Sequence, residues 1–290
     1  MLKISTEIGS IASHVGEQKA VEYVAKAGFD AWDLSMFCMV QPGPITGQKQ
    51  IANHPLTGPG YLQFVRELKK VGLDNGIVCN QSHAPFPSFD PAANSLLKRA
   101  IECTAEAGGE ICIIHPGNKN TAEENAELYF ELLPFAKEHG VKIAAENMFN
   151  REPGTRRIIP AACSSPADFL KHLQLVNDPW LVACLDIGHA EIVGCETSAP
   201  EMIRALGGQL KALHIHDNNR YDDCHMLPFT MDIDFEAVIW ALKEVGYSGY
   251  LTLEANSGLK KHTAQTVFAG VCEMAATAKR LAEMYENACQ

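Results

Sequence analysis

Short apolar runs alternate with longer amphipathic stretches from one end of the chain to the other. The short runs predict strands over Lys3–Ile8, Ala31–Leu34, Gly76–Ser82, Ile111–His115, Lys142–Asn147, Val182–Ile187, Ala212–His216 and Tyr250–Ala255. Between them, apolar residues recur at intervals of three and four. They predict helices over Glu17–Ala27, Tyr61–Val71, Ala92–Ala107, Ala122–His139, Pro166–Val176, Ala199–Leu206, Phe235–Val245 and Ala264–Asn287. Glycine follows several of these stretches, at Gly28, Gly72, Gly140 and Gly246, where a left-handed residue would end a helix. Strands alternating with helices imply a parallel sheet, and eight such units are the number that closes a barrel. The expected fold is therefore α/β, a (β/α)8 TIM barrel with outer helices forming one domain over residues 1–290. An open doubly wound sheet has the same alternation, but no Gly-x-Gly-x-x-Gly or phosphate-loop motif gives a reason for one. Residues 38–60 and 150–165 read as long loops after the second and fifth strands.

The carboxyl ends of barrel strands converge on the active site, so the polar residue ending each strand is informative. Here those residues are His83, His115, Glu146, Asp186, His214 or His216, and Glu254. A single strand-end histidine is ordinarily just hydrogen-bonded, and a buried carboxylate can be offset by a salt bridge. Three acidic strand ends at one mouth, however, would crowd like charges unless a cation sat among them. Carboxylates and imidazoles together suit Mn, Mg, Co or Zn. Asp186 and His189 lie three residues apart, so one can bind metal while the other meets substrate.

Composition narrows the partners. The formal net charge of −11 disfavours a polyanion, and the one evident basic cluster is Arg151, Arg156 and Arg157. The ten cysteines are scattered, without a Cys-x-x-Cys pair, and several lie in apolar runs. They are expected to be reduced and buried. Without an 18-residue apolar run or a signal-like N-terminus, the expectation is a cytoplasmic protein with no membrane partner.

These residues resemble the xylose-isomerase-like TIM-barrel superfamily of sugar isomerases, ketose 3-epimerases and endonuclease IV, from about Ile4 to Ala255. Ketose 3-epimerases carry Glu and a second Glu six residues on, here Glu146 and Glu152; Asp-x-x-His, here Asp186 and His189; His with an acid at +3 and Arg at +6, here His214, Asp217 and Arg220; and a final Glu, here Glu254. The resemblance implies one divalent metal (Mn, Mg, Co or Zn) on Glu146, Asp186, His214 and Glu254. It implies that Glu152, His189 and Arg220 hold substrate hydroxyls, with His83 and His115 lining the sugar pocket. Strand periodicity turns His216 the same way as His214, which leaves His216 as an alternative ligand.

Endonuclease IV offers a competing pattern with three zinc ions, for which His83, His115, Asp223 and His225 supply further ligand types. The function implied is epimerisation or aldose–ketose isomerisation of a sugar or sugar derivative through an enediolate. Glu146 and Glu254 would exchange the proton from opposite sides of the mouth. The alternatives are zinc-dependent phosphodiester hydrolysis and a non-catalytic sugar-binding barrel. The expected partner is the small sugar, not nucleic acid; self-association into a homo-oligomer is compatible with the sequence.

Overall fold

A computed structural model describes residues 1–288. Eight parallel strands line the barrel: β1 (Ile4–Thr6), β2 (Ala31–Ser35), β3 (Val78–His83), β4 (Ile111–Ile113), β5 (Lys142–Glu146), β6 (Leu181–Asp186), β7 (Leu210–His214) and β8 (Leu251–Leu253). β2 to β7 form one continuous ladder, and β1 pairs with β8. Two bridges, Glu7 with Asp33 and Ile215 with Leu253, join these sheets and close the ring.

The outer layer consists of α1 (Glu17–Ala27), α2 (Tyr61–Asp74), α3 (Leu97–Ala107), α4 (Ala122–Glu138), α5 (Pro166–Val176), α6 (Ala199–Leu206), α7 (Phe235–Glu244) and α8 (Val267–Asn287). Each turns an apolar stripe inward; in α1 the stripe is Ala20, Val21 and Val24, all fully buried. Burial of a Val- or Leu-sized side chain is worth about 1.5–3 kcal/mol, so these stripes set which face of each helix meets the sheet. Entry into α4, α5, α6 and α7 is fixed by side-chain caps from Thr121, Ser165, Ser198 and Asp234. A cap satisfies backbone N–H groups that the helix itself cannot.

Three expectations shift. The helix expected over Ala92–Ala107 breaks into Pro91–Asn94 and α3. The glycine at 72 does not end α2: the helix runs through it to Asp74, and a Cβ there would lie 2.9 Å from Trp32 Nε1. Gly72 serves close packing instead of termination. The final helix starts at Val267. Both long loops contain antiparallel hairpins, Val40–Pro42 with Lys49–Ile51 and Phe149–Arg151 with Ile158–Pro160. A further short helix, Gly9–Val15, follows β1.

The barrel interior is polar under the mouth. Ser5 Oγ donates to Asn80 Oδ1 at 2.6 Å, Asn80 Nδ2 to Thr252 Oγ1 at 3.3 Å, and Gln81 Nε2 to Asp33 Oδ2 at 2.8 Å. The cysteines of the described residues are free thiols. No helix among them is long and apolar enough to cross a membrane.

Candidate metal centre at the barrel mouth

The last residues of β5, β6 and β7 are Glu146, Asp186 and His214, and Glu254 follows β8 directly. Parallel pairing sets Asp186 beside His214, so ladder register alone brings two of the four together. One potential ligand atom from each of Glu146, Asp186, His214 and Glu254 lies within 4.8 Å of the others. His214 Nδ1 stands 3.1 Å from Glu146 Oε1 and 3.4 Å from Glu254 Oε2. All four residues are buried, Glu254 the least so at 7% exposure.

Two further groups flank this one. His83, His115 and Glu146 form the first, with His115 Nε2 3.1 Å from Glu146 Oε2. His189, His216, Asp223 and His225 form the second, with His225 Nε2 3.1 Å from Asp223 Oδ2. Strand periodicity had left His214 and His216 as alternatives for one ligand position. Both face the mouth, His214 in the central group and His216 in the flanking one.

The histidines share a pattern of anchoring. Nδ1 of His83 pairs with Ala84 O at 2.8 Å, Nδ1 of His189 with Asn147 O at 2.9 Å, and Nδ1 of His225 with Glu254 O at 2.8 Å. A carbonyl oxygen only accepts, so each ring carries its proton on Nδ1 and turns Nε2 toward the clusters. His214 is reversed: Nε2 faces the buried Asp33 Oδ2 at 3.5 Å and Nδ1 faces the carboxylates. A partner on the remote nitrogen fixes tautomer and orientation, the arrangement expected of histidines that ligate metal. Gly188 makes room for one of these rings, since a Cβ there would fall 1.9 Å from His216 Cε1.

The electrostatics fit a cation. Burial opposes charge on Glu146, yet His214 and His115 hold its carboxyl well below the usual range. Burial likewise opposes ionisation of Asp186, but His189 and His216 bring it down to about 2. Asp223 is also lowered, against its burial, by hydrogen bonds from His189 and His225. Asp186 Oδ2, His216 Nε2 and Asp223 Oδ1 are buried without a hydrogen-bond partner. Buried polar atoms are rarely left so, and here three of them border the same clusters. The donor set of carboxylates and imidazoles therefore fits Zn, Mn, Co or Mg.

Above the clusters lies a cavity of about 530 Å³, lined by His83, His115, Glu146, His189, His225 and Glu254 together with Phe37, Phe86, Phe149, Asn118, Asn256 and Arg151. Glu152 and Arg220 are not brought to it. Glu152 sits at the turn of the 149–160 hairpin, where its carboxylate accepts from Thr155 Oγ1 at 3.2 Å. Arg220, at φ 64°, bends away toward Glu191, with Nη2 3.5 Å from Oε2 and its side chain 45% exposed. Asp217, the acid at +3 from His214, also turns aside. Its carboxylate accepts from the backbone N–H groups of Asn218, Thr230, Met231 and Ile233.

The sequence reading missed Asp33 and took Arg151 only as part of a basic cluster. Strand periodicity was the available signal for Asp33, which falls between the apolar Trp32 and Leu34 and so faces the barrel axis. Arg151 carries no comparable signal; it reaches the cavity because the hairpin folds over the mouth.

A closed parallel barrel with metal-ligand residues at its strand ends defines the class of molecule. The chain belongs to the xylose isomerase-like TIM-barrel family, whose model matches residues 21–274. It is 28% identical over 253 residues to the uncharacterized protein MJ1311 of Methanocaldococcus jannaschii, covering 81% of this chain and 78% of that one. Its fold superposes on the crystal structure of a D-tagatose 3-epimerase-like protein with a TM-score of 0.71, 23% identity and 98% of each chain covered. D-Allulose 3-epimerase from Methylomonas sp. gives 0.68 at 17% identity, again over 98% of each chain.

Proposed function

We propose that this protein is a divalent-metal-dependent isomerase or epimerase of a sugar or sugar derivative. The observation that carries the reading is the placement of Glu146 and Glu254. They come from strands five and eight of an eight-stranded ring, yet both converge on His214 Nδ1, at 3.1 and 3.4 Å. Both also line the cavity floor. One carboxylate can remove the proton next to a substrate carbonyl, while the other returns a proton to the opposite face. Such proton transfer by a positioned group typically contributes about 10²–10⁴ in rate. Glu146, Asp186, His214 and Glu254 would hold the ion, which when bound would supply polarisation of the carbonyl. His83, His115 and His189 line the same cavity, and the bare Nε2 of His83 and of His189 can accept from a substrate hydroxyl. Glu152 and Arg220 are not near enough to share in this, so the reading stays at epimerase or aldose–ketose isomerase. The folds of sugar 3-epimerases, which this chain resembles over nearly its whole length, support the same class.

The test is incubation of the metal-loaded protein with a panel of ketoses and aldoses in heavy water, followed by NMR. Deuterium incorporation next to the carbonyl is expected. Failure of every sugar to exchange, with metal content verified, would remove the proposal.

One observation favours a second reading, metal-dependent phosphodiester hydrolysis. The two flanking groups give the mouth three adjoining ligand sets rather than one. Metal analysis separates the readings: about one Mn, Mg or Co per chain fits the isomerase, whereas three zinc ions fit the hydrolase. The net charge of −11 weighs against a DNA substrate.

A further inference from the structure

On the segments between β1 and α2 stands a group that the proton-transfer chemistry does not use. Glu17 is the first residue of α1, Cys38 lies in the turn after β2, and His54 precedes the short turn Pro55–Thr57. His54 Nε2 lies 2.6 Å from Glu17 Oε1, and His54 Nδ1 lies 3.7 Å from Cys38 Sγ. The ring and the carboxylate are largely covered, 16% and 25% exposed, whereas Cys38 is exposed. Cys38 also lines a cavity of about 370 Å³, together with Ser10, His14, Phe37 and Asn256. Phe37 and Asn256 line the main cavity as well, and the Phe37 ring stands edge-on to His83 with centroids 4.5 Å apart.

Local structure assigns the tautomer. The Leu56 N–H points at His54 Nδ1 from 3.2 Å, a bond that only a lone pair accepts. Before it receives the thiol proton, the ring therefore carries its own proton on Nε2, donated to Glu17, and presents an unprotonated Nδ1 to the thiol. This is the order nucleophile, base and orienting acid that activates a side chain for attack.

We propose that Cys38 is a nucleophilic thiol that reacts with small peroxides at the rim of the active cavity, with His54 as its base and Glu17 holding that base. The thiol proton passes to His54 Nδ1, and the sulfur attacks one peroxide oxygen. An S–O bond forms as the O–O bond breaks, and the departing oxygen takes the proton from Nδ1. The thiol is oxidised to a sulfenic acid and the peroxide is reduced to an alcohol or water. The Leu56 N–H loses its acceptor only while Nδ1 is protonated.

The charge balance supports this order: the Cys38 contact, then Glu17, pushes His54 up to about 9, so the imidazole retains the proton it receives. The buried cysteines differ. Burial pushes the Cys79 thiol far up and those of Cys103 and Cys184 up to about 12, away from the reactive range. Cys272, the other exposed cysteine among the described residues, belongs to none of the His/Cys/acid groups found there.

The experiment uses the full chain, stripped of metal with a chelator so that no bound ion masks the sulfur. Iodoacetamide labelling at pH 7, read by peptide mass spectrometry, is expected to modify Cys38 at least about tenfold faster than Cys272. After hydrogen peroxide, the sulfenic-acid trap dimedone is expected on Cys38 and not on Cys272. His54→Gln should bring the Cys38 rate down to that of Cys272. Glu17→Gln, which leaves the 54–57 turn and its Leu56 contact in place, should give an intermediate rate, so the result does not depend on His54 as a cap. Equal labelling of Cys38 and Cys272 in the unaltered protein overturns the proposal. So does a Cys38 rate unchanged by both substitutions in chains that melt at the original temperature.

Discussion

Two sets of polar residues surround the mouth, and they are placed by different means. Glu146, Asp186 and His214 end strands of the six-stranded ladder, and Glu254 directly follows β8, which is held by its pairing with β1 and the Ile215–Leu253 bridge. Glu152 and Arg220 stand six residues beyond Glu146 and His214 in sequence, but each reaches its place through a loop. The first set converges within 4.8 Å; the second points to a hairpin turn and to Glu191. A spacing inherited by a strand end transmits position, because one residue of slip would turn the whole strand inside out. A spacing counted along a loop transmits only reach.

The strongest challenge to this contrast is Glu254→Gln. The substitution keeps the shape and one acceptor oxygen but removes the charge and the proton carrier. Folding should be unchanged, metal binding weaker, and proton exchange reduced by several powers of ten at saturating metal. That loss exceeds the ~10²–10⁴ of acid–base catalysis alone because a ligand is lost too. Exchange at the original rate under those conditions would show that Glu254 carries no proton.

Next in size is Asp33→Asn. Asp33 is fully buried and faces His214 Nε2 at 3.5 Å, so it orients that ring without lining the cavity. Isothermal titration with Mn or Zn should show affinity lower by about 10–100-fold, the usual cost of losing such a partner. Unchanged affinity would mean that the strand alone orients the ring.

Glu152→Gln and Arg220→Ala probe the loop set. Each should change kcat/KM for the best sugar less than about threefold, in line with the small cost of altering exposed pairs. A hundredfold loss would show that the loops close over bound substrate and carry these residues inward.

The smallest effect concerns pH. His54 is raised to about 9 in the fold from its ordinary 6.5, first by Cys38 and then by Glu17. A raised histidine stabilises most where both states bind the proton, below pH 6.5, and this contribution disappears as pH climbs through about 9. The difference in Tm between the original protein and His54→Gln should therefore shrink from pH 6 to pH 9.5. A difference that grows over that range would reverse the assigned sign.

Much of this was legible before any coordinates. All eight barrel strands were visible because each is a short apolar run between amphipathic stretches, and the four central residues because each ends such a run. The two hairpins were not, since their strands are only three residues long, too short to show a hydrophobic period. Gly72 misled for a related reason: a glycine late in a helix has the same appearance whether it ends the helix or admits Trp32. Arg151 and the Cys38–His54–Glu17 group depend on loops meeting across the mouth, and no local spacing encodes such a meeting.

The carboxylate of Asp217 gathers four backbone N–H groups from residues 218 to 233 into one buried acceptor. Asp223 and His225 ride on the segment so held, while Glu146, Asp186, His214 and Glu254 are carried by the ladder. The mouth thus has two storeys, the lower one masonry and the upper one pinned at Asp217 and again where His225 Nδ1 donates to Glu254 O. A substitution that frees the upper storey would therefore loosen Asp223 and His225 while leaving the pairing of the barrel strands in place.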